Sequence, residues 1–208
     1  MPTPTFDLYL VTDRNQTHDR DLLWVLESAL EGGVEAIQLR EKDLGGGELF
    51  SLAEAARKLT QRYHARLLIN DRIDVALAVD ADGVQLSTVS IPIETARTLL
   101  GPQSLLGAST HSLEEAAEAE RNGADFIVFG PVYFTPSKAS YGSPQGLTTV
   151  KKIVEKIALP VYAIGGIKSE NIAETRRTGV RGVALISAVM SVPDPKNATK
   201  RILNLLKR

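Results

Sequence analysis

The sequence predicts a closed barrel of eight parallel strands ringed by helices, the (β/α)8 or TIM barrel. Two observations lead there. Apolar runs of strand length alternate with amphipathic helical stretches from end to end, giving eight strand–helix units in 208 residues. No linker, low-complexity run or composition shift divides the chain, so residues 1–208 read as one domain. An open doubly wound sheet usually has fewer strands and a switch point, whereas barrels of about 200–250 residues commonly form a single unit.

The elements follow in order. The first strand covers residues 7–12, and a helix over 19–30 carries Leu22, Leu23, Leu26 and Leu30 at helical spacing before stopping at Gly32 and Gly33. Residues 34–39 form the second strand; Gly45, Gly46 and Gly47 break the chain before a helix over 48–63 with Leu52, Ala56 and Leu59 on one face. The third strand is 66–69, followed by a short helix over 72–79, and the fourth is 82–86. Pro92 opens the next helix at its first turn. After the fifth strand, 104–108, Ser112 and Glu115 have capping-box spacing for a helix reaching residue 122. The sixth strand is 124–129, and a helix over 147–156 leads to the seventh, 159–164. A helix over 169–178, the eighth strand at 182–185 and a basic helix over 197–206 complete the chain. The stretches 81–83 and 123–125, Ala-Asp-Gly and Gly-Ala-Asp, echo each other weakly, as recurrent helix-to-strand turns would.

The composition is that of an ordinary globular protein, 43% hydrophobic and 24% charged. With a net charge of −1, nothing suggests a general nucleic-acid or membrane-surface binder. With no cysteine there is no disulfide, thiolate metal site or cysteine nucleophile. The N-terminus lacks the pattern of a signal peptide, and no apolar run approaches the roughly 18 residues that span a bilayer. A cytoplasmic protein is the expectation, and barrels of this size are often homodimers.

In this fold the chemistry sits at the C-terminal ends of the strands. The second strand ends in Gln38-Leu39-Arg40-Glu41-Lys42, where period-two alternation sends Gln38, Arg40 and Lys42 to one side. An amide, a guanidinium and an ammonium directed into one mouth suit a polyanion; the plainer alternative is a solvated turn in which Glu41 pairs its neighbours. Asn70-Asp71 ends the third strand, and Asp71 could ligate Mg²⁺, act as a base or cap the next helix. Ser109 and His111 follow the fifth strand, the histidine more simply structural; His18 and His64 have no motif around them. Gly130-Pro131-Val132-Tyr133-Phe134-Thr135-Pro136-Ser137-Lys138 leaves the sixth strand, and its Thr135, Ser137 and Lys138 offer two hydroxyls and an ammonium to a phosphate. Gly165 and Gly166 after the seventh strand, with Ile186 and Ser187 after the eighth, mark a place where barrels often bind phosphate through backbone N–H groups. Two anionic groups are expected, one near Gly165, Gly166 and Ser187, the other near Arg40, Lys42, Thr135, Ser137 and Lys138.

These motifs, in this order and spacing, resemble thiamine phosphate synthase and its relative, the thiazole tautomerase group. The resemblance runs from Leu8-Tyr9-Leu10-Val11-Thr12-Asp13 to the last strand, through Gln38 to Lys42, Leu68-Ile69-Asn70-Asp71-Arg72, the loop after Gly130, and Ile164-Gly165-Gly166-Ile167. It implies an enzyme that joins hydroxymethylpyrimidine diphosphate to thiazole phosphate and releases pyrophosphate. The residues matching Gln38, Arg40, Lys42, Asn70 and Lys138 would hold the pyrimidine and its diphosphate. Thr135 and Ser137 would hold the thiazole phosphate, with the glycine loop, Ile186 and Ser187. Asp71 matches a Mg²⁺ ligand and Ser109 a serine near the diphosphate. Loss of pyrophosphate leaves a benzylic-type cation, so Arg40, Lys42, Lys138, Ser109 and the metal would stabilise the departing charge.

Two positions depart from the pattern. Ser90, in Val84-Gln85-Leu86-Ser87-Thr88-Val89-Ser90, stands where the synthases carry a second Mg²⁺-binding acid, and the Val-Gln-Leu form is closer to the tautomerases. Pro131 stands where the tautomerases carry a proton-shuttling histidine. Besides the synthase, the sequence therefore admits a tautomerase-group enzyme with His111 as base, or a binder of thiazole or thiamine phosphates without turnover. A sugar-phosphate isomerase would need a positioned acid–base pair, for which Asp13 and Asp71 have no supporting surroundings.

Overall fold

The computed structural model describes residues 2–135 and 143–207. Eight strands close into a parallel barrel in sequential order: β1 (Leu8–Val11), β2 (Ala36–Leu39), β3 (Arg66–Asn70), β4 (Gly83–Leu86), β5 (Leu105–Thr110), β6 (Phe126–Phe129), β7 (Val161–Ile164) and β8 (Gly182–Leu185). The register is continuous around the ring, β8 pairing back onto β1 through Tyr9 and Ala184. The helices are α1 (Leu22–Glu31), α2 (Gly46–Arg62), α3 (Ile73–Ala78), α4 (Ile93–Leu100), α5 (Leu113–Arg121), α6 (Gly146–Lys156), α7 (Ile172–Arg176), α8 (Ser187–Met190) and α9 (Pro195–Leu206).

Alternation along each strand divides the core in two. Leu8, Leu10, Ile37, Leu67, Ile69, Val84, Ile127 and Val183 face outward into the helices, and each is buried. Tyr9, Val11, Ala36, Leu68, Leu105, Phe126, Val128, Tyr162 and Ala184 fill the barrel with Phe6. Four aromatic rings occupy its lower half: Phe6 stacks on Tyr162 at 4.8 Å, and Phe126 meets Tyr162 edge-on at 5.5 Å. The Tyr162 hydroxyl escapes burial without a partner by donating to the Phe6 carbonyl at 2.7 Å.

The two weakly echoing stretches do the same work at the N-terminal face. Asp82, before β4, accepts the Leu67 N–H at 2.9 Å and Arg57 of α2 at 2.7 Å. Asp125, before β6, accepts the Leu106 N–H at 2.8 Å and Arg97 of α4 at 2.6 Å. Each acid ties the preceding strand to the helix before that strand, a stabilising role typical of this face.

Most differences from the sequence expectation lie at element ends. The chain between β1 and α1 is not helical from residue 19: a 3-10 turn spans Arg14–Gln16, His18 and Asp19 have positive φ, and α1 begins after Asp21, whose carboxylate accepts the Trp24 N–H. Pro92 is the N-cap of α4 rather than its first residue. Ser112 caps α5 through the Glu115 N–H, but the Glu115 carboxylate turns back to the His111 N–H, so only half of the expected box forms. The four-residue α8, directly after β8, has no counterpart in the sequence expectation.

Candidate active site

The interior near the C-terminal mouth is polar on one side and apolar on the other. Gln38, Asn70, Gln85 and Ser109 come from β2 to β5, consecutive around the barrel. Val128, Ile164, Ala184 and Val11 come from β6, β7, β8 and β1. Gln38 and Gln85 are buried, Asn70 and Ser109 half-buried. The Gln85 amide donates to Ser109 Oγ at 3.1 Å, while its buried Oε1 has no partner among the described residues. The result is a floor carrying directional polar groups beside apolar surface, suited to a flat heteroaromatic ring.

Arg40 and Lys42 stand at the rim after β2. Glu41, between them, turns the other way and is almost wholly buried, its side chain 1% exposed. It accepts the Thr12 hydroxyl at 2.6 Å and the Arg14 guanidinium at 3.2 Å. The solvated turn in which Glu41 pairs its neighbours is therefore not what forms. Among the described residues, the side chains of Arg40 and Lys42 have no hydrogen-bond or ion-pair partner, whereas the nearby Arg72 is bound to Asp74 and Arg14 to Asp43.

Asp71 sits after β3 with φ of 59°, in the left-handed region that short polar side chains tolerate. It does not cap α3. Its carboxylate accepts the Ser87 N–H at 2.9 Å, the Ser87 hydroxyl at 3.2 Å, the Asn70 amide at 2.8 Å and the Ser90 hydroxyl. Position 90 thus faces Asp71 across the β3–β4 corner. Among the described residues no three His, Cys, Asp or Glu side chains converge as a metal site.

The loops after β6 and β7 interlock. The Val132 N–H donates to the Ile164 carbonyl at 2.9 Å and Tyr133 N–H to Gly165 at 3.0 Å. Gly165 and Gly166 have φ of 98° and 66°, and a Cβ on Gly166 would lie 2.6 Å from the Phe134 carbonyl oxygen. Glycine is required there on both counts. Thr135 is half-buried at the end of the described part of this loop; Ser137 and Lys138 lie outside the described residues. Ile186 precedes α8 and its carbonyl accepts the Met190 N–H at 2.9 Å, while Ser187, the first residue of α8, is exposed.

The barrel mouth brings Gln38, Arg40, Lys42, Asn70, Asp71 and Ser109 to one side, β2 to β5, and Gly165, Gly166, Ile186 and Ser187 to β7 and β8. The profile of the thiamine monophosphate synthase family matches residues 8–189. The chain belongs to this family. Among similar family proteins, one from Geobacter sulfurreducens, provisionally named a thiamine-phosphate synthase, is 54% identical over 97% of this chain and 94% of its own length. The thiamine-phosphate synthase of Clostridium novyi is 42% identical over 96% of this chain and 98% of its own. The solved thiamine phosphate pyrophosphorylase of Pyrococcus furiosus superposes with a TM-score of 0.89 at 43% identity, covering 97% of this chain and 96% of its own. A 3-hexulose-6-phosphate synthase structure, 16% identical with a TM-score of 0.68, shares the barrel alone.

Sequence reasoning missed Thr12, Arg14 and Ser87 at this mouth. Thr12 and Arg14 serve Glu41, and the signal for Glu41 was present: alternation that sends Arg40 and Lys42 to the mouth sends Glu41 away from it.

Proposed function

We infer that this chain is a thiamine-phosphate synthase, joining hydroxymethylpyrimidine diphosphate to thiazole phosphate with release of pyrophosphate. The observation that carries this reading is Arg40 and Lys42 at the rim of the polar half of the mouth, their side chains without a partner among the described residues, in a chain with full-length relatives of this name. Residues 1–208 are proposed to be one such domain, in the cytoplasm. The tautomerase alternative is not favoured by the relatives, and its candidate base, His111, is engaged by Glu115, with Nδ1 3.2 Å from Oε2.

In the proposed reaction Gln38 and Asn70 orient the pyrimidine, and Arg40, Lys42 and Lys138, with Ser109, take up the diphosphate. As the carbon–oxygen bond to the diphosphate breaks, charge moves onto the leaving group, and fixed cations stabilise that state more than the ground state. Thr135, Ser137, Gly165, Gly166, Ile186 and Ser187 hold the thiazole phosphate so that its ring nitrogen meets the exposed carbon.

Asp71 is the proposed Mg²⁺ ligand. One carboxylate beside two serine hydroxyls is a hard-oxygen set, and Mg²⁺ is commonly bound through one or two carboxylates with substrate phosphates and waters completing its shell. The residues fit a metal shared with the diphosphate, which it would help neutralise. Ser87 and Ser90 hold Asp71 in place.

Arg40→Ala and Lys138→Ala test the assignment. Each is expected to abolish pyrophosphate release, whereas Lys151→Ala, on α6 with its ammonium 3.9 Å from Glu155, leaves it intact. Wild-type turnover in both of the first two variants would place the diphosphate elsewhere.

A further inference from the structure

The segment after β2 alternates in charge: Arg40, Glu41, Lys42, Asp43. Two carboxylates next to two cations in a mobile turn would compete with any anionic substrate for those cations. The structure prevents this with a residue from the turn after a neighbouring strand. Arg14, in the 3-10 turn after β1, grips Asp43 with both guanidinium prongs at 2.7 Å each and reaches Glu41 Oε2 with Nη1 at 3.2 Å. Its backbone N–H also donates to the Glu41 carboxylate, at 3.1 and 3.2 Å to the two oxygens. Thr12 completes the clamp: its hydroxyl donates to Glu41 and accepts the Arg40 N–H at 2.9 Å, fixing the backbone that carries Arg40. The Asp43 carboxyl is held below the usual carboxylate range, first through the hydrogen bond from Arg14.

We propose that Arg14 is a positioning residue for diphosphate binding: by binding the Glu41 and Asp43 carboxylates it keeps Arg40 and Lys42 unpaired for the substrate's phosphates. It acts without touching substrate, through charge it removes from the competition and through the loop it ties to β1. This rests on the proposed diphosphate site at Arg40 and Lys42.

Isothermal titration of inorganic pyrophosphate into the purified full chain at fixed Mg²⁺ tests it, with melting temperature followed for each variant. Arg14→Ala is expected to weaken binding about fivefold or more, the factor one exposed unit charge at ion-pair distance carries in water. Arg14→Ala combined with Asp43→Asn should recover most of that loss, because one competing carboxylate is gone. A purely structural Arg14 predicts the opposite, since removing its partner as well repairs no packing. Unchanged affinity in Arg14→Ala, or no recovery in the double variant, overturns the proposal. Should Arg14→Ala fail to fold, Arg14→Lys replaces it, keeping the charge but losing the two-pronged grip; weakening relieved by Asp43→Asn supports the proposal, and wild-type affinity overturns it. Arg40→Ala separates the two levels. If it weakens pyrophosphate binding while Arg14→Ala does not, only the role of Arg14 fails. If Arg40→Ala binds as wild type, the diphosphate site is misplaced and the role of Arg14 falls with it.

Discussion

Replacing Gly107 with alanine would put a methyl carbon 2.3 Å from Gln85 Oε1 and 2.4 Å from Phe126 Cζ, well inside contact distance. Gly107 faces into the barrel on β5, in register with Gln85 on β4 and Phe126 on β6. Both neighbours are buried and held by contacts of their own. Phe126 is held edge-on by Phe6, Tyr9 and Tyr162, with centroids at 5.9, 5.9 and 5.5 Å, and Gln85 is 1% exposed and bonded to Ser109. Overpacking of this kind costs about 1–3 kcal/mol, and rigid neighbours put this site in the upper half, about 2–3 kcal/mol. At roughly 2–4 °C per kcal/mol for a chain of this length, Tm should fall by about 4–12 °C. The same push displaces Gln85 and Ser109 in the floor of the mouth, so kcat/KM for pyrophosphate release should fall about tenfold, within the range that small misplacements cost. Calorimetry and steady-state kinetics read both effects. An alanine variant with wild-type Tm would show that the barrel interior yields at this layer, and with unchanged kinetics that the polar floor takes no part in the reaction.

Three further outcomes follow from the geometry. Asp125→Ala leaves Arg97 and the Leu106 N–H without their buried partner; with Arg97 still bonded to carbonyls, the loss should be about 3 kcal/mol, the low end for such breaks, seen in urea denaturation, with kinetics unchanged well below the transition. Gly166→Ala combines a positive φ, costing about 1 kcal/mol, with a clash against the loop after β6, and should lower kcat/KM far more than Tm; equal kinetics would separate that loop from the site. Ser90→Asp sets a second carboxylate against Asp71, so the variant should melt lower without Mg²⁺ and gain more in Tm on adding it than the wild type; an identical Mg²⁺ response would dissociate position 90 from any metal.

The barrel was legible because its strands are short apolar runs between amphipathic helices, a pattern that survives errors of a few residues at each end. The inward face of Gln38 was legible for the same reason, since period-two alternation holds to the end of β2 at Leu39, whereas Arg40 and Lys42 lie beyond the strand. What the sequence hid depends on partners distant along the chain. Glu41 finds Thr12 and Arg14, some 27–29 residues away, across the β1–β2 corner. Asp71 looked like a helix cap by position, yet a positive φ turns its carboxylate to Ser87 and Ser90 instead. Gly107 gave no local sign at all: its lack of a side chain matters only because Gln85 and Phe126 converge on it from neighbouring strands.

On the proposed function, this mouth makes thiamine phosphate. The most direct test is pyrophosphate release by the purified chain given hydroxymethylpyrimidine diphosphate and thiazole phosphate together, with and without Mg²⁺. Turnover that requires both substrates and rises with Mg²⁺ is the predicted result. Saturable binding of either phosphate ester with no pyrophosphate released under any metal condition would contradict it.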